Sequence, residues 1–156
     1  MNRGRKMGYY MRYVVTDKKD LSLQTMEDSL KQLDQAYSIV NRQTGRVIGD
    51  LVHGGEVFAQ IEINRSNDEL FNEEVQELVE FAEDSEGKGK REVLKCLKKA
   101  RLLVAVQVLF QERDTEATLQ KIDPLWQWLF SNRDGLMQAD GEGYYNGKGD
   151  LILKVE

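Results

Sequence analysis

The sequence predicts an α+β domain, a mixed or mainly antiparallel sheet with helices packed on it, and three observations carry that prediction. The run Leu102 to Phe110, Leu-Leu-Val-Ala-Val-Gln-Val-Leu-Phe, is apolar apart from Gln107 and rich in β-branched valine. It is too short to span a membrane and fits a central strand buried on both faces. Around it lie short segments of alternating polarity divided by glycine turns, and between these run segments whose apolar residues recur at helical spacing.

In order, Tyr9 to Thr16 reads as a first strand, ended by the charged cluster Asp17-Lys-Lys-Asp20. A helix follows, capped by Asp20 or Ser22, with Leu23, Met26, Leu30 and Leu33 forming one apolar stripe. Three short strands come next, Tyr37 to Asn41, Arg46 to Val52 and Glu56 to Asn64, divided by the turns Gln43-Thr-Gly45 and His53-Gly54-Gly55. Asn67 to Asp84 is helical, with Ser66 and Glu69 in capping-box register and Leu70, Phe71, Val75, Leu78 and Ala82 on one side. Lys88 to Arg101 makes another helix before the central strand. Thr115 to Ile122 reads as a short helix capped by Asp114, and Asp123-Pro124 as the start of a new one, Leu125-Trp-Gln-Trp-Leu-Phe130, which Gly135 ends. Leu136 to Ala139, Tyr144-Tyr145 and Leu151 to Val155 complete the chain as short strands.

Composition bounds the class. A chain of 156 residues, 40% hydrophobic and 31% charged with one proline, is the length of one domain and is typical of a globular protein. The sequence divides into a basic tail over residues 1–7 and a single domain over 8–156. Without Arg3, Arg5 and Lys6 the net charge moves from -5 to -8, so the body is acidic and argues against general affinity for nucleic acid or anionic lipid. Neither a signal peptide nor a membrane span is read from the sequence. One cysteine, Cys96, fits a reducing compartment, and a cytoplasmic location is expected.

The elements divide into internal halves, 8–84 and 88–156, each with a strand, a helix and a hairpin. Met11-Arg-Tyr-Val-Val aligns with Leu103-Val-Ala-Val-Gln. At the level of element order this resembles two βαββ, ferredoxin-like arrangements. Between the halves the charge changes sign. Glu62 to Glu86 contains ten carboxylates against the single base Arg65, and Lys88 to Arg101 contains seven bases against Glu92. A hairpin whose arms attract one another is the preferred reading over a phosphate-binding helix, because nucleic-acid readers seldom carry their basic patch on an acidic body.

The residue types that carry catalysis are sparse. Cys96 lies among Lys95, Lys98 and Lys99, which would favour a thiolate, yet Val93, Cys96, Leu97 and Ala100 form one apolar stripe that turns the thiol inward. His53, the only histidine, precedes Gly54-Gly55 and Glu56. Gly141-x-Gly143 and Gly87-Lys-Gly-Lys90 fail as nucleotide or phosphate loops. Asp134, Asp140 and Glu142 are hard oxygen ligands on a glycine-rich backbone, but a calcium loop started at Asp140 has Tyr145 at its glycine position and Leu151 at its glutamate position. No metal or other cofactor is expected; those three residues are the weak metal candidates.

The aromatic helix gives the stronger lead. Trp126, Leu129 and Phe130 can face the core, which leaves Trp128, beside Leu125, as the anchor for a partner; the interaction residues expected are Trp126, Trp128, Arg133, Tyr144 and Tyr145, with Gln127 and Asp134 also in the rim. The expected function is therefore a non-catalytic protein-interaction module of adaptor or immunity-like type that self-associates or binds another protein, and not nucleic acid or a membrane. The alternative is a small-molecule or divalent-metal-dependent hydrolytic enzyme using the acidic 134–142 loop with His53 as base. It requires the His53 turn and that loop to share one cleft.

Overall fold

The computed structural model describes residues 9–42 and 45–155. The basic tail over 1–7 and positions 43 and 44 of the expected turn lie outside them. Eight strands and four helices follow in the order β1 (Tyr9–Val15), α1 (Leu23–Leu33), β2 (Tyr37–Asn41), β3 (Val47–His53), β4 (Glu56–Arg65), α2 (Glu69–Glu83), α3 (Lys90–Lys98), β5 (Leu102–Val108), α4 (Thr115–Asn132), β6 (Gly135–Ala139), β7 (Gly143–Tyr145) and β8 (Leu151–Lys154). The strands form one sheet in the order β2-β3-β4-β5-β1-β6-β7-β8, and every neighbouring pair is antiparallel. The class is α+β, with helices packed on an antiparallel sheet.

The strand expected at the centre is there. β5 lies between β4 and β1, and its first five residues are all buried. The first strand of the chain is the other central one: Met11 faces Val106 and Tyr13 faces Val104 across the β1–β5 ladder. On one sheet face Met11, Tyr13, Val15, Ile61, Ile63, Val104 and Val106 build the larger core under α1 and α4. On the other, Val14, Leu103, Leu136, Tyr144 and Leu153 meet Phe71, Leu78 and Ala82 of α2 and Val93 and Leu97 of α3. These three layers explain why β5 lacks the alternation of a half-wet strand.

Two local expectations are corrected. The chain does not break at Asp123-Pro124, since α4 continues through Pro124 to Asn132. A proline inside a helix costs about 3 kcal/mol. Burial of Ile122, Leu125, Trp126 and Leu129 on one continuous face returns roughly 2 kcal/mol for each, so tertiary packing outweighs the local breaker. The capping box of Ser66 and Glu69 also does not form. Asp68 is the residue before α2, and its carboxylate accepts from the Arg65 amide at 3.0 Å instead of capping the helix. By contrast Ser22 caps α1 as expected, accepting from the Thr25 amide at 3.1 Å.

Candidate interaction surface

The residues expected to anchor a partner are placed mainly inside the molecule. Trp126 is buried beneath α4, which is covered on a broad face because it shares its side of the sheet with α1. Trp128 and Tyr145 are half-buried against the same core. Arg133 is buried and pairs with Asp17 at 2.6 Å, while Tyr144 packs under the α2–α3 layer. The five do not converge into one exposed patch.

The acidic loop is likewise divided. Asp134 precedes β6 and Asp140 follows it, which separates them by roughly 20 Å of extended chain. Asp140 pairs with Arg12 at 2.8 Å. Glu142 accepts from the hydroxyls of Tyr9 and of Tyr145, the latter at 2.6 Å, and the Glu142 bond pushes the Tyr145 phenol up to about 12. His53 sits on β3, four strands from β6 or roughly 19 Å, where its Nε2 lies 2.9 Å from Asp34. The cleft that the hydrolytic reading requires between His53 and the 134–142 loop is therefore absent. Among the described residues no group of three His, Cys, Asp or Glu side chains is placed to hold a metal ion. Cys96 lies against the second core, and burial pushes its thiol up to about 11, which keeps it protonated and unreactive at neutral pH.

A polar feature that the sequence reading missed crosses the second sheet face. Arg12, in the middle of β1, faces Gln138 on one side and Ala105 on the other, and Ala105 in turn faces Glu62. Its guanidinium bonds Glu74 of α2 at 2.5 Å, Asp140 at 2.8 Å and Gln138 at 2.8 Å. The small side chain of Ala105 leaves a cleft of about 430 Å³ between sheet and α2, lined also by Tyr10, Glu62, Glu73 and Glu77. Arg12 thus ties α2 to the far half of the sheet, and the cleft is wet because the helical layer covers only part of this face. Beside it the Tyr144 hydroxyl is buried without a hydrogen-bond partner among the described residues. Tyr144→Phe should therefore leave stability unchanged or raise it by about 1 kcal/mol in urea unfolding, since it removes a desolvated donor and breaks no bond.

The outer side of the α2–α3 layer divides sharply by charge. In α2, Phe71, Val75, Leu78 and Ala82 face the core, and Glu73, Glu77 and Glu80, at positions i, i+4 and i+7, are exposed, with Glu73 and Glu77 also at the rim of the Arg12 cleft. In α3, Val93 and Leu97 face the core, and Arg91, Lys95 and Lys98 repeat the same spacing on the outside. These cations, with Lys88 and Lys90, surround Leu94 in a shallow groove of about 900 Å³. The expected attraction between the arms does not take the form of ion pairs. The helices meet through apolar side chains and a bond from Lys90 Nζ to the Glu83 carbonyl oxygen, and among the described residues no ion pair joins the two stripes.

No family model, curated protein or solved structure matches this chain. The surface itself must therefore carry the functional argument. Both sheet edges are partly covered. At β2 the Ile39 amide donates to Glu27 at 2.8 Å and the Tyr37 amide to the Asp34 carbonyl at 3.1 Å. At β8 the backbone of Gly89 lies so close that a Cβ there would stand 2.0 Å from the Ile152 carbonyl oxygen. Such capping guards against edge-to-edge pairing. Among the described residues, no helix is long and apolar enough to cross a membrane.

Proposed function

We propose that this chain is a non-catalytic protein-interaction module and that it docks through the outer side of the α2–α3 layer. One observation carries the reading: two exposed stripes of opposite charge, on adjacent helices and at the same helical spacing, stand without ion pairs between them. Charges arranged in this way steer a complementary surface and fix its register. The partly covered sheet edges and the burial of Trp126 support the same choice of surface over an added strand or an aromatic anchor. A cytoplasmic setting belongs to the reading, with Cys96 as a packing residue.

The test is cross-linking of the full chain in cells, using one reagent for amines and one for carboxylates, followed by peptide mapping. Intermolecular links should concentrate on Lys88, Lys95 and Lys98 and on Glu73, Glu77 and Glu80, whether the linked molecule is another copy or a different protein. Links concentrated on the 140–150 turn or around Trp128 would move the docking surface elsewhere and overturn the assignment.

A further inference from the structure

We infer that the occupant of this surface is a second copy of the chain, related by a two-fold axis lying in the interface and parallel to α2 and α3. The inference rests on the docking surface proposed above and adds its partner. Two in-plane axes could bring the layers face to face. An axis perpendicular to the helices sets α2 on its own image and α3 on its own, which opposes like charges along both contacts. The axis parallel to the helices sets α2 of each copy over α3 of the other, so Glu73, Glu77 and Glu80 meet Arg91, Lys95 and Lys98 twice in one assembly. Both stripes span seven residues, roughly 10 Å, so the registers match without bending either helix. Such an interface is isologous, as closed dimers require.

A polyanion such as a nucleic acid fits less well. Neighbouring packed helices lie roughly 8–10 Å apart, so a phosphate chain seated on α3 would run beside the row of α2 carboxylates. A second copy resolves that conflict because it brings a cationic helix to those carboxylates. The contact is small. Helices about 10 Å wide, of 15 and 9 residues and so roughly 22 and 14 Å long, offer a footprint of about 350 Å² on each copy, which belongs to weak and transient interfaces. Leu94 of α3 is half-buried within it, Leu70 and Phe81 are exposed apolar side chains of α2, and charges form most of the rest, so the dimer should form in the micromolar range and weaken with salt.

Sedimentation velocity of the purified full chain from about 10 to 200 μM tests this. At roughly 50 mM salt a monomer–dimer equilibrium is expected, weakened at least tenfold at about 500 mM. Arg91→Glu/Lys95→Glu/Lys98→Glu and Glu73→Lys/Glu77→Lys/Glu80→Lys should each be monomeric, because each makes both helical stripes the same sign. Mixed in equal amounts they should form a heterodimer. That rescue also shows that neither variant has failed to fold.

A wild-type chain that stays monomeric at about 200 μM and low salt overturns the second copy as occupant. Variants that dimerise as well as wild type, or fail to pair when mixed while their circular dichroism is native, overturn the crossed geometry. Monomers that bind a labelled oligonucleotide at low salt, measured by anisotropy, would assign the groove to a polyanion. If the inference fails while cellular cross-links still fall on the two stripes, the docking surface stands and only its partner changes.

Discussion

Arg133→Met is expected to cost about 3–5 kcal/mol, the range for removing one partner of a buried ion pair and leaving the other desolvated. Arg133 leaves 4% of its side chain exposed and Asp17 leaves 12%. The guanidinium bonds both Asp17 oxygens and donates to the carbonyls of Lys19 and Asp20, the latter at 3.3 Å. Asp17 in turn accepts from the amides of Lys19 and Asp134. One side chain therefore fastens the segment after β1 to the entry of β6. Methionine keeps most of the volume and removes every donor, so the loss should appear as a lower urea midpoint with an unchanged slope. Asp17→Asn in the same background should recover part of it by removing the unpaired charge.

The same pair makes a pH prediction. Arg133, bonded to the Asp17 carboxylate, lowers its pKa to about 2 from an ordinary 3.8. The native state then binds fewer protons than the unfolded chain in that window, so the stabilisation is complete above about pH 4 and disappears as the pH falls towards 2. Unfolding midpoints measured from pH 5 to 2 should fall more steeply for the wild type than for Arg133→Met. Parallel curves would show that this pair does not govern acid stability.

The sequence was most informative where structure depends on neighbours in the chain. β5 announced itself through continuous apolar content, and α1 through Ser22 and the apolar spacing of Leu23, Met26 and Leu30, although Leu33 of the expected stripe is exposed, because burial on two faces and helix capping leave local signatures. The pairing of β1 with both β5 and β6 left none, since register between strands far apart in the chain is set by contacts that no local pattern encodes. Arg12 illustrates the loss. Its position in an otherwise apolar strand marks a wet side, but Glu74, Gln138 and Asp140 become its partners only through the sheet order. At Pro124 the local signal was read as a break between two helices, and burial on one face of α4 overrules it. The charge reversal between α2 and α3 was visible in the sequence. Its outward direction became clear only once Val93, Leu97, Leu78 and Ala82 were seen to occupy the opposite faces. Trp126 and Arg133 were drawn to the surface by residue type alone, since composition does not distinguish an interface anchor from a core residue or a buried clamp.

Gly135→Ala is expected to have the larger effect of the two substitutions at this junction. Gly135 opens β6 with φ +152, and a Cβ there would stand 1.8 Å from the Val14 carbonyl oxygen, 2.9 Å from its carbon and 3.1 Å from Tyr13. The obstructing atoms are backbone of β1, which pairs with β5 on its other side and has no free direction in which to retreat. Relief requires β6 to leave β1, which breaks the facing pairs Val15 with Gly135 and Val14 with Leu136 and exposes Leu136 to water. A loss above about 4 kcal/mol follows, a large share of the 5–15 kcal/mol that stabilises a domain. Gly45→Ala, with nothing among the described residues within 4 Å of its added carbon, is the control and should change stability by less than about 0.5 kcal/mol. Because the Arg133 carbonyl accepts from the Tyr13 hydroxyl and the Asp134 carbonyl from the Thr16 amide, both substitutions act on the same union of β1 with β6. Their combined effect should therefore be smaller than the sum of the two. Strict additivity in urea unfolding would show instead that the Asp17 clamp and the β1–β6 contact are independent supports.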